Sequence, residues 1–260
     1  MARMEYDEAA AERLEAVYLG PDVVAQREDT LERLNIRTGE TVLDIGSGPG
    51  FLAEAVAGMT GPTGKVIGVD LSPQMVERAT ARSSNDWLSY EVADAVSLPF
   101  SDNSFDVVVS TQVAEYVADI SAFCSEVFRV MAAGGRGLIL ATDWDAVCWH
   151  SEHPKRMERI LKAFEPHCAD SRLPRTLGAR LRNAGLRVED VSYFSIVNVD
   201  RYEGCYGEGI VPFIAEYVQN QGSVSKEELD QWAQEQADLN ERSEHFFATG
   251  RFCFSVSKPK

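Results

Sequence analysis

Five short apolar runs recur along the chain's first 142 residues, and they restrict the fold more than any other feature. They are TVLDIG (Thr41–Gly46), KVIGV (Lys65–Val69), WLSYEV (Trp87–Val92), FDVVVS (Phe105–Ser110) and GLILAT (Gly137–Thr142). Each is too short for a core helix, and most lack the polar alternation of a half-exposed strand, so they read as strands buried on both faces. Amphipathic stretches at 49–59, 73–82 and 119–131 separate several of them. Strand, helix, strand in that rhythm predicts a parallel sheet with helices on both faces.

The rhythm changes after Thr142. Helices are expected over 154–168 and 174–184, the latter stopped by Gly185, then a strand over Arg187–Val197. A helical segment, Asp200–Ala248, precedes a last strand at Phe252–Ser257. So long an excursion carries structure of its own, and it is expected to cover the site and select what enters. The chain is expected to form one domain over 1–260. Its core would be about 38–148, 186–198 and 251–258, with helical cap elements at about 1–37, 149–185 and 199–250.

Bulk properties exclude several partners. The 260 residues carry a formal charge of −16 with no dense Lys/Arg cluster, which disfavours nucleic acid. No apolar run reaches the roughly 18 residues of a membrane span. The opening MARMEYDEAAAERLEAVYLG lacks the cationic and apolar order of a secretory signal, so a cytoplasmic monomer or homodimer is expected. Five scattered cysteines without a C-x-x-C favour neither a disulfide framework nor a metal site.

The first strand runs into LDIGSGPGF, where Gly46, Gly48 and Gly50 give D-x-G-x-G-x-G. This is tighter than the dinucleotide fingerprint G-x-G-x-x-G. Glycines there allow a close approach to the backbone, although a tight turn with no ligand has the same composition. Asp70 ends the second strand about twenty residues on, where a carboxylate can accept from both hydroxyls of a ribose. Asp94 and Ala95 follow the third strand and suit the edge of an adenine. In a parallel sheet these three places share one crevice.

The constellation resembles the class I S-adenosylmethionine-dependent methyltransferases, in particular the small-molecule group typified by the ubiquinone/menaquinone C-methyltransferases. The matching stretches are VLDIGSGPG (Val42–Gly50), GVDLSPQM (Gly68–Met75), VADAVSLPFSDNSFDVVVS (Val92–Ser110) and FRVMAAGGRGLIL (Phe128–Leu140). The resemblance implies a Rossmann-like doubly wound α/β sheet of seven strands in the order 3-2-1-4-5-7-6, the last antiparallel. It implies S-adenosyl-L-methionine as cofactor and methyl transfer to a small-molecule acceptor. It assigns Gly46, Gly48 and the backbone near Asp44 to the methionine part and Asp70 to the ribose. Leu71 and Met75 would pack on the adenine, Asp94 and Ala95 would read its edge, and Val113 would lie beneath the sulfonium.

Methyl transfer from a sulfonium needs alignment and the exclusion of water, and only some acceptors need a base. Glu115 and Tyr116 follow the fourth strand. The fifth is followed by TDWDAVCWHSEH, which holds Asp143, Trp144, Asp145, Trp149, His150 and His153. Of these His150 is the preferred base, with Asp143 and Tyr116 as further candidates and helix capping as the rival role for Asp143. Tyr18, Gln26 and Arg27 are candidates for the cofactor's carboxylate, Arg27 by its fork of donors. The aromatics Phe164, Tyr202, Tyr206, Phe213 and Tyr217 fall at helical spacing and are expected in a core. Two alternatives stand beside this reading. One is arsenite methylation through Cys148, Cys168 and Cys205; the other is a cofactor-binding regulatory subunit without catalysis.

Overall fold

The computed structural model describes residues 8–200 and 204–260, with residues 8–11 as backbone only; Tyr202 lies outside the described residues. The helices are α1 (Glu8–Leu19), α2 (Pro21–Leu34), α3 (Phe51–Thr60), α4 (Pro73–Arg82), α5 (Ile120–Val130), α6 (Pro154–Phe164), α7 (Pro174–Asn183), α8 (Tyr206–Gly209), α9 (Val211–Gln221) and α10 (Lys226–Glu241). The strands are β1 (Thr41–Ile45), β2 (Lys65–Asp70), β3 (Leu88–Val92), β4 (Phe105–Thr111), β5 (Met131–Thr142), β6 (Cys148–Trp149), β7 (Arg187–Val199) and β8 (Phe246–Ser257). Contacts divide the chain into two units: one of residues 1–26, 143–171 and 194–251, the other of 27–142, 172–193 and 252–260. Of the residues expected in the cap, 149–171 belong to the first unit and 172–185 to the second.

The second unit holds the sheet. The long strands run in the order β3-β2-β1-β4-β5-β8, with β7 paired to β8. Setting aside the two-residue β6, this is the expected order 3-2-1-4-5-7-6. The pairs β1–β2, β1–β4, β2–β3 and β4–β5 are parallel. The start of β5 bonds the residue after the end of β8, Gly134 N–H to Lys258 O (2.9 Å) and Lys258 N–H to Gly135 O (3.0 Å), which sets those strands head to tail. Alternation in β1 sends Leu43 and Ile45 into one core, with Phe123, Val127, Leu177 and Leu181 of α5 and α7. Val42 enters the other, with Leu34, Ala53 and Val56 of α2 and α3. Burying an aliphatic side chain contributes about 1.5–3 kcal/mol, and these two layers fix the strand ends that carry the site.

Local chemistry sets the element ends. Ser72 Oγ accepts from Met75 N–H and Pro73 opens α4, while Asp119 Oδ1 accepts from Ala122 N–H at the start of α5. Arg136 on β5 closes α2, donating to Leu34 O (2.9 Å) and Asn35 O (2.6 Å) and pairing with both oxygens of Glu40.

The first unit has its own core. Met157, Ile160 and Phe164 of α6 meet Ile214 and Val218 of α9, Leu229 and Trp232 of α10, and Phe247. The buried Glu235 fastens α10 to the start of α6, accepting from Ser151 Oγ (2.6 Å), Glu152 N–H (2.7 Å) and Arg156 Nη2 (2.5 Å). β6 pairs antiparallel with β8 at Cys148–Ala248 and Trp149–Phe247. So β8 starts at Phe246, where a helical segment reaching Ala248 was expected.

Candidate functional site

The crevice is built where β1, β2 and β3 end. The N–H groups of Gly46 and Ser47 both donate to Val69 O (2.7 and 2.9 Å), and Ala93 N–H donates to Asp70 O (3.0 Å). Asp70 joins the same two loops through its side chain: Oδ2 accepts from Gly48 N–H and Oδ1 from Ser72 N–H, both at 2.9 Å. Burial raises its pKa, and the Ser72 and Gly48 bonds oppose that shift. The Leu71 N–H adds a third backbone bond to this carboxylate.

Gly46, Gly48 and Gly50 all have positive φ (76, 52 and 87°). The close approaches at two of them come from within the protein. A Cβ on Gly46 would meet Val113 Cγ2 at 2.0 Å, and one on Gly50 would meet the Tyr90 hydroxyl at 2.4 Å. Gln112, just before Val113, also has positive φ (58°), held by its N–H to Leu140 O (2.8 Å) and its side-chain amide to Thr142 Oγ1 (3.1 Å). The β4 end is thus bent to press Val113 onto the glycine turn.

Asp44 stands out. It lies between Gly68 and Val109 in the sheet register and is 1% exposed. Neither of its oxygens has a hydrogen-bond partner among the described residues. Burial, then the charge of Asp70, pushes its pKa up to about 7. A buried carboxylate without partners is costly to ionise, so this position calls for a cationic group brought from outside.

The remaining sequence candidates fall as follows. Leu71 is 49% exposed beside the crevice and Met75 is 2% exposed beneath it. Asp94 is exposed, its Oδ1 accepting from Val96 N–H (3.1 Å), and Ala95 packs on the core. Arg27 sits over the ring of Phe51 at 5.3 Å, with Arg82 over the same ring at 4.0 Å, and burial lowers the pKa of Arg27. Glu115 is fully buried and its Oε1 accepts from Thr142 N–H (3.1 Å). Tyr116 is half-buried in the turn Ala114–Tyr116.

Asp143 and His150 belong to the first unit. Asp143 is buried and caps the turn Trp144–Ala146, its Oδ1 accepting from Asp145 N–H (3.2 Å). His150 is exposed, with its backbone N–H donating to Phe246 O (2.9 Å). Phe164 and Tyr206 are buried, and Phe213 and Tyr217 pack on the same cluster. His167 stacks on Phe164 at 3.7 Å, and burial lowers its pKa to about 4. Cys168 and Cys205 are buried and Cys148 is exposed. No group of three or more potential ligands for a metal occurs among the described residues.

Sequence reasoning missed Arg251, His245 and Thr249, all buried in the first unit with side-chain polar atoms that lack partners. The available signal was parity: an arginine two and four residues from Thr249 and Phe247 in an otherwise apolar strand faces the same way as they do.

Residues 43–139 match the family described as "Methyltransferase domain". A demethylmenaquinone methyltransferase of Symbiobacterium thermophilum is 38% identical over 110 residues, which is 41% of this chain and 44% of that protein. The chain spans about half or less of the length of the curated relatives it matches first. Among solved structures, a putative methyltransferase of Bacillus halodurans superposes with a TM-score of 0.64 at 18% identity, covering 91% of this chain and all of that one. Phosphoethanolamine N-methyltransferase 2 of Haemonchus contortus, in complex with S-adenosyl-L-methionine, gives 0.64 at 21% identity over 99% of this chain and 59% of that one. Residues 43–139 thus match the methyltransferase-domain family, and the chain shares its fold with solved methyltransferases.

Proposed function

We propose that the chain is an enzyme that transfers the methyl group of S-adenosyl-L-methionine to a small-molecule acceptor. The observation that carries this reading is Asp44, a buried carboxylate with no partner among the described residues, within the stretch that matches the methyltransferase domain. The cofactor, when bound, supplies a methyl group already activated on a sulfonium. Asp44 answers its ammonium group, and Asp70 accepts from the ribose hydroxyls. Leu71 covers the adenine with Met75 behind it, and Asp94 and Ala95 read its edge. Gly46 and Gly48 admit the methionine part over Val113, and Arg27 takes its carboxylate.

The chain's own contribution to the rate is orientation and dryness. Where the acceptor must lose a proton, His150 is the base, with Asp143 and Tyr116 the other candidates. The family match ends at residue 139, so the acceptor is not carried over from the quinone methyltransferases. Arsenite methylation is not favoured, with Cys168 and Cys205 buried and Cys148 exposed.

Calorimetric titration with S-adenosylhomocysteine should show one site that NADH does not occupy. Tight NADH binding without S-adenosylhomocysteine binding would overturn the reading. Cofactor turnover in the absence of any partner protein separates an enzyme from a regulatory subunit.

A further inference from the structure

The first unit gathers buried polar groups that have no partner among its described residues. Arg251 on β8 is 0% exposed, and its Nε, Nη1 and Nη2 have no hydrogen-bond partner among the described residues. It makes no ion pair among them either; its guanidinium lies over the ring of Tyr206 at 4.7 Å. Thr249, two residues earlier and so on the same face of the strand, is 2% exposed with an unpartnered Oγ1. His245, just before β8, is 3% exposed with both ring nitrogens unpartnered.

These groups face one place. A Cβ on Gly207 would lie 2.8 Å from Phe247 Cβ and 3.1 Å from His245 Nε2, so the strand's 245–247 side looks onto α8, where Arg251 covers the adjacent Tyr206. Aromatic rings continue the wall: Trp149 stands 4.8 Å from Phe247 and 5.7 Å from Trp232, and both indole N–H groups are unpartnered.

An isolated buried guanidinium is costly, because the lost hydration is repaid only by a paired anion with matched hydrogen bonds. Its stacked face is occupied, so its edge is what remains to donate, and paired N–H groups match a planar carboxylate. Burial lowers the pKa of His245, while the carboxylate of Glu208 in α8 acts in the opposite direction. With Glu208 already beside the site, the single charge of a carboxylate suits it better than the double charge of a phosphate dianion.

We propose that Arg251, with Thr249 and His245, is the receptor for the carboxylate of a small planar ligand, whose body lies against the aromatic wall. This site does not rest on the methyltransferase reading.

Benzoate and benzamide test this, since they share a shape and differ in charge. Tryptophan fluorescence of the full chain should saturate with benzoate about 10- to 100-fold more tightly than with benzamide, as for charge-assisted hydrogen bonds. Arg251→Met should erase that preference, and Arg251→Lys should keep part of it. Thr249→Val, which removes only a hydroxyl, should weaken benzoate by about three- to tenfold. S-adenosylhomocysteine affinity, measured by calorimetry, should stay within about twofold in all three variants because none alters the crevice.

Equal binding of benzoate and benzamide, binding of neither, tighter binding of phenyl phosphate, or a preference that survives both Arg251→Met and Thr249→Val would overturn the proposal. If the wild type binds benzoate selectively but not S-adenosylhomocysteine, the methyltransferase reading fails and the carboxylate site stands.

Discussion

The two units treat buried polar groups in opposite ways. Where β1, β2 and β3 end, almost every donor is answered by a residue of the neighbouring loop, as in Gly48 to Asp70, Ser72 to Asp70 and Ala93 to Asp70. One carboxylate, Asp44, is left over. In residues 143–171 and 194–251 the surplus is of donors: Arg251, Thr249, His245 and the N–H groups of Trp144, Trp149 and Trp232. Leaving such groups dry costs about 1–3 kcal/mol each, more for a charge. The first region leaves a carboxylate unanswered and the second a guanidinium.

The contrast can be broken at several points. The largest effect is expected at Asp70. Asp70→Ala removes the acceptor for the backbone N–H groups of Gly48, Leu71 and Ser72 as well as for the ribose hydroxyls. Hydrogen bonds to a charged group contribute about 1.5–3 kcal/mol each, so affinity for S-adenosylhomocysteine should fall by about two orders of magnitude or more. Calorimetry measures it, and unchanged affinity would remove Asp70 from the site.

Gly46→Ala comes next. Its Cβ would meet Val113 Cγ2 at 2.0 Å on a backbone with φ of 76°. A loss of about 2–4 kcal/mol in urea unfolding is expected from overpacking plus backbone strain. Adding Val113→Ala should recover part of it, leaving the strain; strict additivity of the two changes would contradict the close approach.

Asp44→Asn sharpens the comparison differently, because it should stabilise the ligand-free protein while weakening cofactor binding. With its pKa raised from 3.8 to about 7 in the folded chain, Asp44 contributes stability that is fully present below 3.8 and lost as pH rises through about 7. Asparagine carries no such dependence. Its advantage should therefore be larger at about pH 8 than at about pH 5, with melting shifts of about 2–4 °C per kcal/mol. An equal or reversed advantage would show that Asp44 is satisfied in the ligand-free chain.

The smallest effect is expected at His150, which is exposed. His150→Ala should leave S-adenosylhomocysteine affinity unchanged and lower turnover with a changed pH profile. An unchanged rate and profile would remove His150 as the base and leave Asp143, Tyr116 or orientation alone.

How much was legible in sequence follows the same division. The strands of the parallel sheet are short apolar runs, and the glycines, Asp70 and Asp94 stand next to them, so the crevice could be read locally, whereas the pairing of β1 with β4 came only with the family resemblance. The start of β8 could not. Phe246–Gly250 contains the poor strand formers Ala248 and Gly250, and its pairing partner is Cys148–Trp149, about a hundred residues away. Arg251 was hidden for the same reason: its burial depends on Tyr206 in α8, which no local pattern places above it. Asp44 was visible as a motif residue, but its lack of partners is a property of the sheet around it. The segment expected to cover the site, Asp200–Ala248, supplies Ile214, Val218, Leu229, Trp232 and Phe247 to the first unit's core, so its excision would remove that core as well.

The central claim is that a carboxylate without partners, Asp44, receives the cofactor's ammonium group. Calorimetric titration of S-adenosylhomocysteine from about pH 5.5 to 8.5, on the wild type and on Asp44→Asn, tests it most directly. With the carboxyl titrating at about 7, wild-type affinity should fall about tenfold for each pH unit below that value, and the Asn variant should bind more weakly at high pH with a flat profile. A flat wild-type profile, or the same slope in Asp44→Asn, would contradict the account.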